Sequence, residues 1–287
     1  MQATPTSQRG VALLLVLWAC TLLAILLGGY AAMARTEGLQ ARYQFAETQA
    51  HYAAEAGLMR AIYGLQDPRM TDRWIGDGRP YAFKYDGAAV EVHAVDESGK
   101  VDLNTDTPEA LQGLFRAAGL PPDKASELAD RVVDWRSAPT IASEVDSQRA
   151  AYASAGRDYG PRHGPFATIE EAQMVLGMTP TLYQRIAPVL TIWAGNTSPN
   201  PNTAPPLALQ AIPGLTPQQV AAIQAARAKN ADDPSLALNN GTTHSIESRA
   251  TLADGTRAVL RATIRMQPGL AGAKPYAVLR WQEGKQE

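Results

Sequence analysis

The sequence predicts an α+β fold: one long N-terminal helix packed on an antiparallel β-sheet, with a large α-helical domain inserted between the strands. Three observations carry this. No proline interrupts a helix-patterned stretch from residue 11 to residue 65. Alternating apolar runs split by Asp-Gly occur at residues 74–96 and return only near the C-terminus. Between these strand blocks, about 101 to 235, the texture is helical and partly repeated.

The first element begins with a run of uncharged, mostly apolar residues from Val11 to Ala34, closed by Arg35. At about 1.5 Å per residue this run is long enough to cross the ~30 Å hydrocarbon core of a bilayer. The ten preceding residues, MQATPTSQRG, end in Arg9-Gly10. A secretory signal has a shorter apolar region with its cleavage site on the far side. The small pair Gly28-Gly29 lies too deep in an unbroken run to fit that pattern. A plain uncleaved anchor explains the length but not Arg9-Gly10, on the side that positive charge holds in the cytoplasm. The helix then continues to Leu65, with Leu39, Tyr43, Ala50, Ala53, Ala54, Gly57, Leu58, Ala61, Ile62 and Leu65 at spacings of three and four. Some 80 Å of helix is expected, its first half uncovered unless lipid or another subunit surrounds it. Pro68 stops it.

Strands follow. Tyr81, Phe83 and Tyr85 alternate, then Val90, Val92 and Ala94, across Asp86-Gly87. At the other end HSIESRATLADGTRAVLRATIRM places Asp254-Gly255 between two alternating runs, and KPYAVLRWQE supplies a last strand.

The intervening region contains a repeat. Residues 104–133 and 202–227 share Asn-Thr, a nearby proline, a leucine-rich helix, a Gly-Leu-x-Pro turn and a second helix; 167–190 is a partial third copy. Each reads as a helical hairpin. Gly119, Gly177 and Gly214 are placed to take the left-handed conformation that ends a helix, and Thr179-Pro180 and Thr216-Pro217 to start the next. Such units resemble helix-hairpin-helix DNA-binding modules, whose turn offers backbone N–H groups to phosphate. Against that reading, threonine stands where a second turn glycine is usual, and basic residues are few. Packing or partner binding is the favoured role.

The segment from Asp134 to Glu171 reads as a long loop, and such loops are commonly functional or held by something. Glu144, Asp146 and Asp158 are its candidate Ca²⁺ ligands, although their spacing is not that of an EF-hand and solvated carboxylates are the commoner case. The formal net charge of −2 leaves no electrostatic footprint for nucleic acid. The single cysteine, Cys20, lies in the apolar run, so neither an intrachain disulfide nor a thiol metal site is available. His51, His93, His163 and His244 are scattered, without HExxH or GxSxG, and no enzyme is expected.

The order of segments resembles a known family. RGVALLLVLW looks like a prepilin leader junction, and DESGKVDLNT, DWRSA, GPFATIEEAQMVLGMTPTLYQRIAPVLT and PYAVLRWQE are similar to successive segments of the K-type minor pseudopilins of the type II secretion system (general secretion pathway protein K). The resemblance implies a pilin-like long N-terminal helix on an antiparallel sheet, with the inserted helical domain. It implies a cleaved leader at 1–10, a helix at 11–66 with 11–34 in the membrane, a pseudopilin sheet from 67–100 and 241–287, and the insert at 101–240. Prepilin peptidase is expected to cut after Gly10, leaving Val11 as an N-methylated terminus. Most pseudopilins carry a glutamate at the fifth mature position, where it pairs with a neighbour's terminal ammonium; here that position is Leu15. K-type subunits share the absence, which suits the first place in a filament. The family further implies I- and J-type minor pseudopilins as partners in a heterotrimeric tip complex, the major pseudopilin beneath it, and contacts with the secretin and exoprotein substrates. It implies a single pass through the bacterial inner membrane, N-terminus cytoplasmic and soluble domains periplasmic. Calcium binding by the insert is a family property, for which this sequence has few acidic residues at 134–158. No nucleic acid is expected; the alternative is a nucleic-acid-binding pilin-like protein of a DNA uptake system.

Overall fold

A computed structural model describes residues 9–139, 141–229, 233, 241–267 and 274–284. Residues 1–8 of the expected leader, and most of the expected join between insert and sheet near 240, lie outside the described residues.

Helix α1 runs from Arg9 to Leu65 without a break. From residue 46 onward it lies across one face of a five-stranded antiparallel sheet, ordered β1-β2-β5-β6-β7. The strands are β1 (Asp77–Tyr85), β2 (Ala88–Asp96), β5 (Thr243–Thr251), β6 (Arg257–Met266) and β7 (Tyr276–Gly284). Small residues make the contact close: Ala46, Ala50, Ala53, Ala54 and Ala61 are buried beside Leu58, Ile62 and Leu65. At Gly57 an added Cβ would lie 2.2 Å from Ser248 Oγ and 2.7 Å from Val90 Cγ1. The opposing inner face is formed by Val90, Val92 and Ala94 on β2, Ile246 and Ala250 on β5, and Leu260, Ala262 and Ile264 on β6. Strand periodicity of two sends Glu91, His93, Glu247, Arg249 and Arg261 to the other face.

Asp86 and Gly87 both have positive φ, +46° and +79°, the two-residue turn whose twist suits a hairpin. Strands β2 and β5 pair in full register, Ala89 with Thr251 through Asp96 with His244, although the whole insert separates them in sequence.

The insert is tied together by a short parallel pair, β3 (Val101–Asp102) against β4 (Leu190–Thr191). Its helices are α2 (Pro108–Ala117), α3 (Pro122–Arg136), α4 (Ala142–Ser154), α5 (Pro180–Ile186), α6 (Pro206–Leu209) and α7 (Pro217–Lys229). One apolar core joins them, with Leu103, Leu111, Leu114, Phe115, Ile186 and Leu209 fully buried. All three hairpin units therefore form a single packed body.

Two expectations are corrected. Residues 134–171 are not one long loop: the end of α3 and all of α4 lie within it. Helix α4 escapes pattern reading because only Tyr152 is buried along it, so no apolar stripe repeats. The second and third hairpins also have stunted first arms, α6 with four residues and a 3₁₀ stretch at Ile169–Met174.

Candidate assembly surface

Two surfaces of α1 stand uncovered. Every large apolar residue from Val11 to Leu27 is more than half exposed, Leu15 among them at 66% and Val11 at 63%. Exposure of a Leu or Ile side chain to water forgoes roughly 1.5–3 kcal/mol each relative to burial. Along this run the total reaches tens of kcal/mol, so lipid rather than water is the compatible surrounding. Leu39 and Tyr43 line up with the buried stripe, yet they are exposed because the sheet ends short of them. The last tie at that end is Gln49, whose Nε2 donates to the Asp86 carbonyl at 3.1 Å.

The second surface was not evident from the apolar spacing. Phe45, Tyr52 and Tyr63 occur at steps of seven and eleven, which places them on the side of α1 opposite its sheet-packed alanines, while Met59 between them is met at its sulfur by the Tyr276 hydroxyl of β7 at 3.5 Å. Phe45, Tyr52 and Tyr63 are 71%, 62% and 56% exposed. The Arg60 guanidinium sits 5.7 Å from the Tyr63 ring centroid. Exposed aromatics aligned along one face of a helix offer a surface for helix-on-helix packing. Its signal in the sequence is the aromatic period, masked by the more numerous alanines of the buried face.

The hairpin turns do take the left-handed glycines expected, with φ of +101° at Gly119, +95° at Gly177 and +83° at Gly214. Their amides serve the protein itself. Leu120 N–H donates to the Phe115 carbonyl and Gly119 N–H to that of Arg116, closing α2. Thr179 Oγ1 accepts from Leu182 N–H at 3.2 Å and Thr216 Oγ1 from Gln219 N–H at 3.3 Å, opening α5 and α7. Two turns are linked reciprocally: Arg185 of the third unit donates to the Ala118 carbonyl, and Arg131 of the first donates to the Leu176 carbonyl. The repeats are packing devices that cap one another.

The candidate calcium ligands are not brought together. Glu144 reaches back to the Ile141 N–H at the start of α4, Asp146 is exposed on that helix, and Asp158 is exposed beyond its end. Among the described residues no group of three or more His, Cys, Asp or Glu is placed to hold a metal ion. The histidines are also dispersed. His93 bonds the Gly78 carbonyl and Glu91, both at 2.9 Å, which together raise its pKa. His163 bonds the Ser137 carbonyl at 3.2 Å. His51 packs edge-on against Tyr52. His244 is buried where β5 meets the insert, and desolvation pulls its pKa down against the opposing pull of Asp96 and Glu97.

Sequence reasoning missed a group of buried acids at that join. Asp96 accepts from Ser98 N–H and Gly241 N–H, and Glu97 accepts from Thr191 and Lys100. Asp102 accepts from Asn104 N–H at 2.8 Å and Gly195 N–H at 2.9 Å. Asp106 has no exposed surface and, among the described residues, no hydrogen-bond partner for either carboxylate oxygen. Burial, then the Asp102 charge, pushes its pKa up to about 8.

Residues 90–195 match the family model for type II secretion system protein K. Among solved structures, a chain in the crystal structure of the GspK-GspI-GspJ complex from the enterotoxigenic Escherichia coli type 2 secretion system is similar at a TM-score of 0.55 and 17% identity. The alignment covers 88% of this chain and 100% of that one, and at this identity the likeness establishes the fold. No curated protein matches the sequence. The family match is thus confined to the sheet's second strand and the first part of the insert, and the fold likeness extends over most of the chain.

Proposed function

We propose that this chain is a K-type minor pseudopilin that works at the tip of the type II pseudopilus, where it joins I- and J-type minor pseudopilins, primes polymerisation of the major pseudopilin and so drives export of folded proteins through the outer-membrane secretin. The observation that carries the reading is the half-covered helix. Residues 11–45 of α1 are exposed throughout, and beyond them an aromatic seam faces away from the sheet. The apolar half anchors the precursor in the inner membrane, with the folded body on the periplasmic side. The seam offers the I- and J-type helices a packing surface, a reading in keeping with the GspK-GspI-GspJ assembly of the similar structure. Leu15 supplies no carboxylate for a preceding subunit's ammonium, which suits the first subunit. The bulky insert on the β2–β5 connection suits a place above which nothing stacks. The role is assembly, with no catalytic step.

Prepilin peptidase is the processing partner, cutting between Gly10 and Val11. Intact mass of the membrane-extracted protein, from cells with and without the peptidase, tests the class. Loss of residues 1–10 with a gain of about 14 Da for methylation is expected only with the peptidase and an unaltered Gly10. An intact N-terminus in peptidase-positive cells, or processing of Gly10→Leu at the same bond, overturns it.

A further inference from the structure

The outer face of the sheet is not simply solvated. The insert overhangs it, enclosing a cleft of about 780 Å³ whose floor spans all five strands and whose wall includes Lys100, Pro188, Arg227 and the 202–206 segment. We propose that this cleft docks an acidic, extended segment of a partner protein, a binding role independent of the helix-mediated assembly described above.

Charge is the first argument. Six cations line the cleft, Arg79, Lys100, Arg227, Arg249, Arg261 and Arg280, against three carboxylates, Asp77, Glu91 and Glu247. Several are neutralised locally: Arg79 by Asp77 at 2.6 Å, Lys100 by Glu97 at 2.6 Å and Arg280 by Glu170 at 3.4 Å. Arg249 and Arg261 share the single carboxylate of Glu247. Among the described residues Arg227 bonds the carbonyls of Ala204 and Pro201, its Nε is buried without a partner, and the Asp77 charge acts on it across the cleft. With Glu91 also on the floor, opposite Arg249 in the strand pairing, the cations exceed the carboxylates that face or pair them by one charge. Five of the six cations are arginines, whose planar fork matches a carboxylate with two parallel N–H donors.

Shape and neutral chemistry choose the class of ligand. Ser245, Thr263, Gln282 and Asn202 offer hydrogen bonds to a peptide backbone, and Ile75, Val95, Pro188 and Pro205 provide apolar contact between them. A polyanion such as nucleic acid would meet Glu91 and Glu247 on the floor, whereas a chain with spaced acidic side chains avoids them. Alternate side chains of an extended segment recur at about 6.6 Å, a scale that lets successive carboxylates address separate arginines. Desolvation lowers the Arg227 pKa, and an incoming carboxylate opposes that penalty.

The test uses the full-length chain in detergent micelles and a fluorescein-labelled synthetic decapeptide of alternating Asp and Val, read by anisotropy near physiological salt. Saturable binding is expected, with affinity at least about tenfold lower for the matching Asn-Val peptide and for Arg227→Gln. Arg227 also holds two backbone carbonyls, so Arg261→Gln, at a half-exposed floor residue, is the companion variant and is expected to weaken binding similarly with unchanged thermal unfolding. Equal binding of the Asn peptide, unchanged affinity in both variants, or no binding at all overturns the proposal. Displacement of the peptide by equimolar inorganic phosphate or by anionic lipid vesicles does so too, marking an unselective anion site.

Discussion

Asp106 offers the most quantitative test of the packing at the base of the insert. Its carboxylate is fully buried, accepts no hydrogen bond from the described residues and lies near the Asp102 charge, which hold its pKa at about 8 in the fold. Unfolded, an aspartate titrates near 3.9. The folded value is the higher one, so the stability contribution is complete below about pH 4 and is lost as the pH climbs through about 8. At pH 7 the interval of about three pH units corresponds to a ceiling of about 4 kcal/mol, at about 1.4 kcal/mol per unit. Relaxation and water entry reduce that to about 2 kcal/mol. Asp106→Asn keeps the shape, removes the titration and introduces amide hydrogens. It is expected to raise the stability of the full chain by about 2 kcal/mol at pH 7.5, about 5 °C in Tm for a body of this size, with the gap closing toward pH 4. Thermal unfolding in detergent, followed by tryptophan fluorescence across that pH range, reads both quantities, since Trp135 is buried in the same core. A variant less stable than the parent at pH 7.5, or a difference that ignores pH, refutes the reasoning.

The helix–sheet contact and the exposed seam yield two further expectations. Gly57→Leu drives side-chain atoms into Ser248 and Val90 and should cost about 1–3 kcal/mol, seen as a lower unfolding temperature; Gly38→Ala, with nothing within 4 Å, should cost nothing. Replacing Phe45 and Tyr52 together by Ser should leave the isolated chain's unfolding unchanged yet reduce co-purification with I- and J-type partners at least about tenfold; retained co-purification would separate the seam from assembly.

Much of the fold was legible in one dimension because its signals are local. Apolar length announced α1, the two Asp-Gly turns divided the strands, and Gly119, Gly177 and Gly214 marked hairpin turns that do adopt positive φ. These are properties of a residue and its immediate neighbours, so no tertiary context was needed. Helix α4 carried no such mark, since a helix burying little more than Tyr152 has no stripe to repeat.

Tertiary structure alone decided which surfaces stay open. Leu39 and Tyr43 belong to the same stripe as Ala50 and Leu58, and only the reach of the sheet separates the exposed pair from the buried one. Charges spread from Arg79 to Arg280 meet in one cleft because five strands align them and the insert overhangs them. Glu144, Asp146 and Asp158, close in sequence, are dispersed by the helix they sit on and the loop that follows. Sequence by itself determined where the chain is apolar, where it turns and where it repeats; long-range packing decided which of those faces remain free, because burial and pairing depend on neighbours that chain order does not specify.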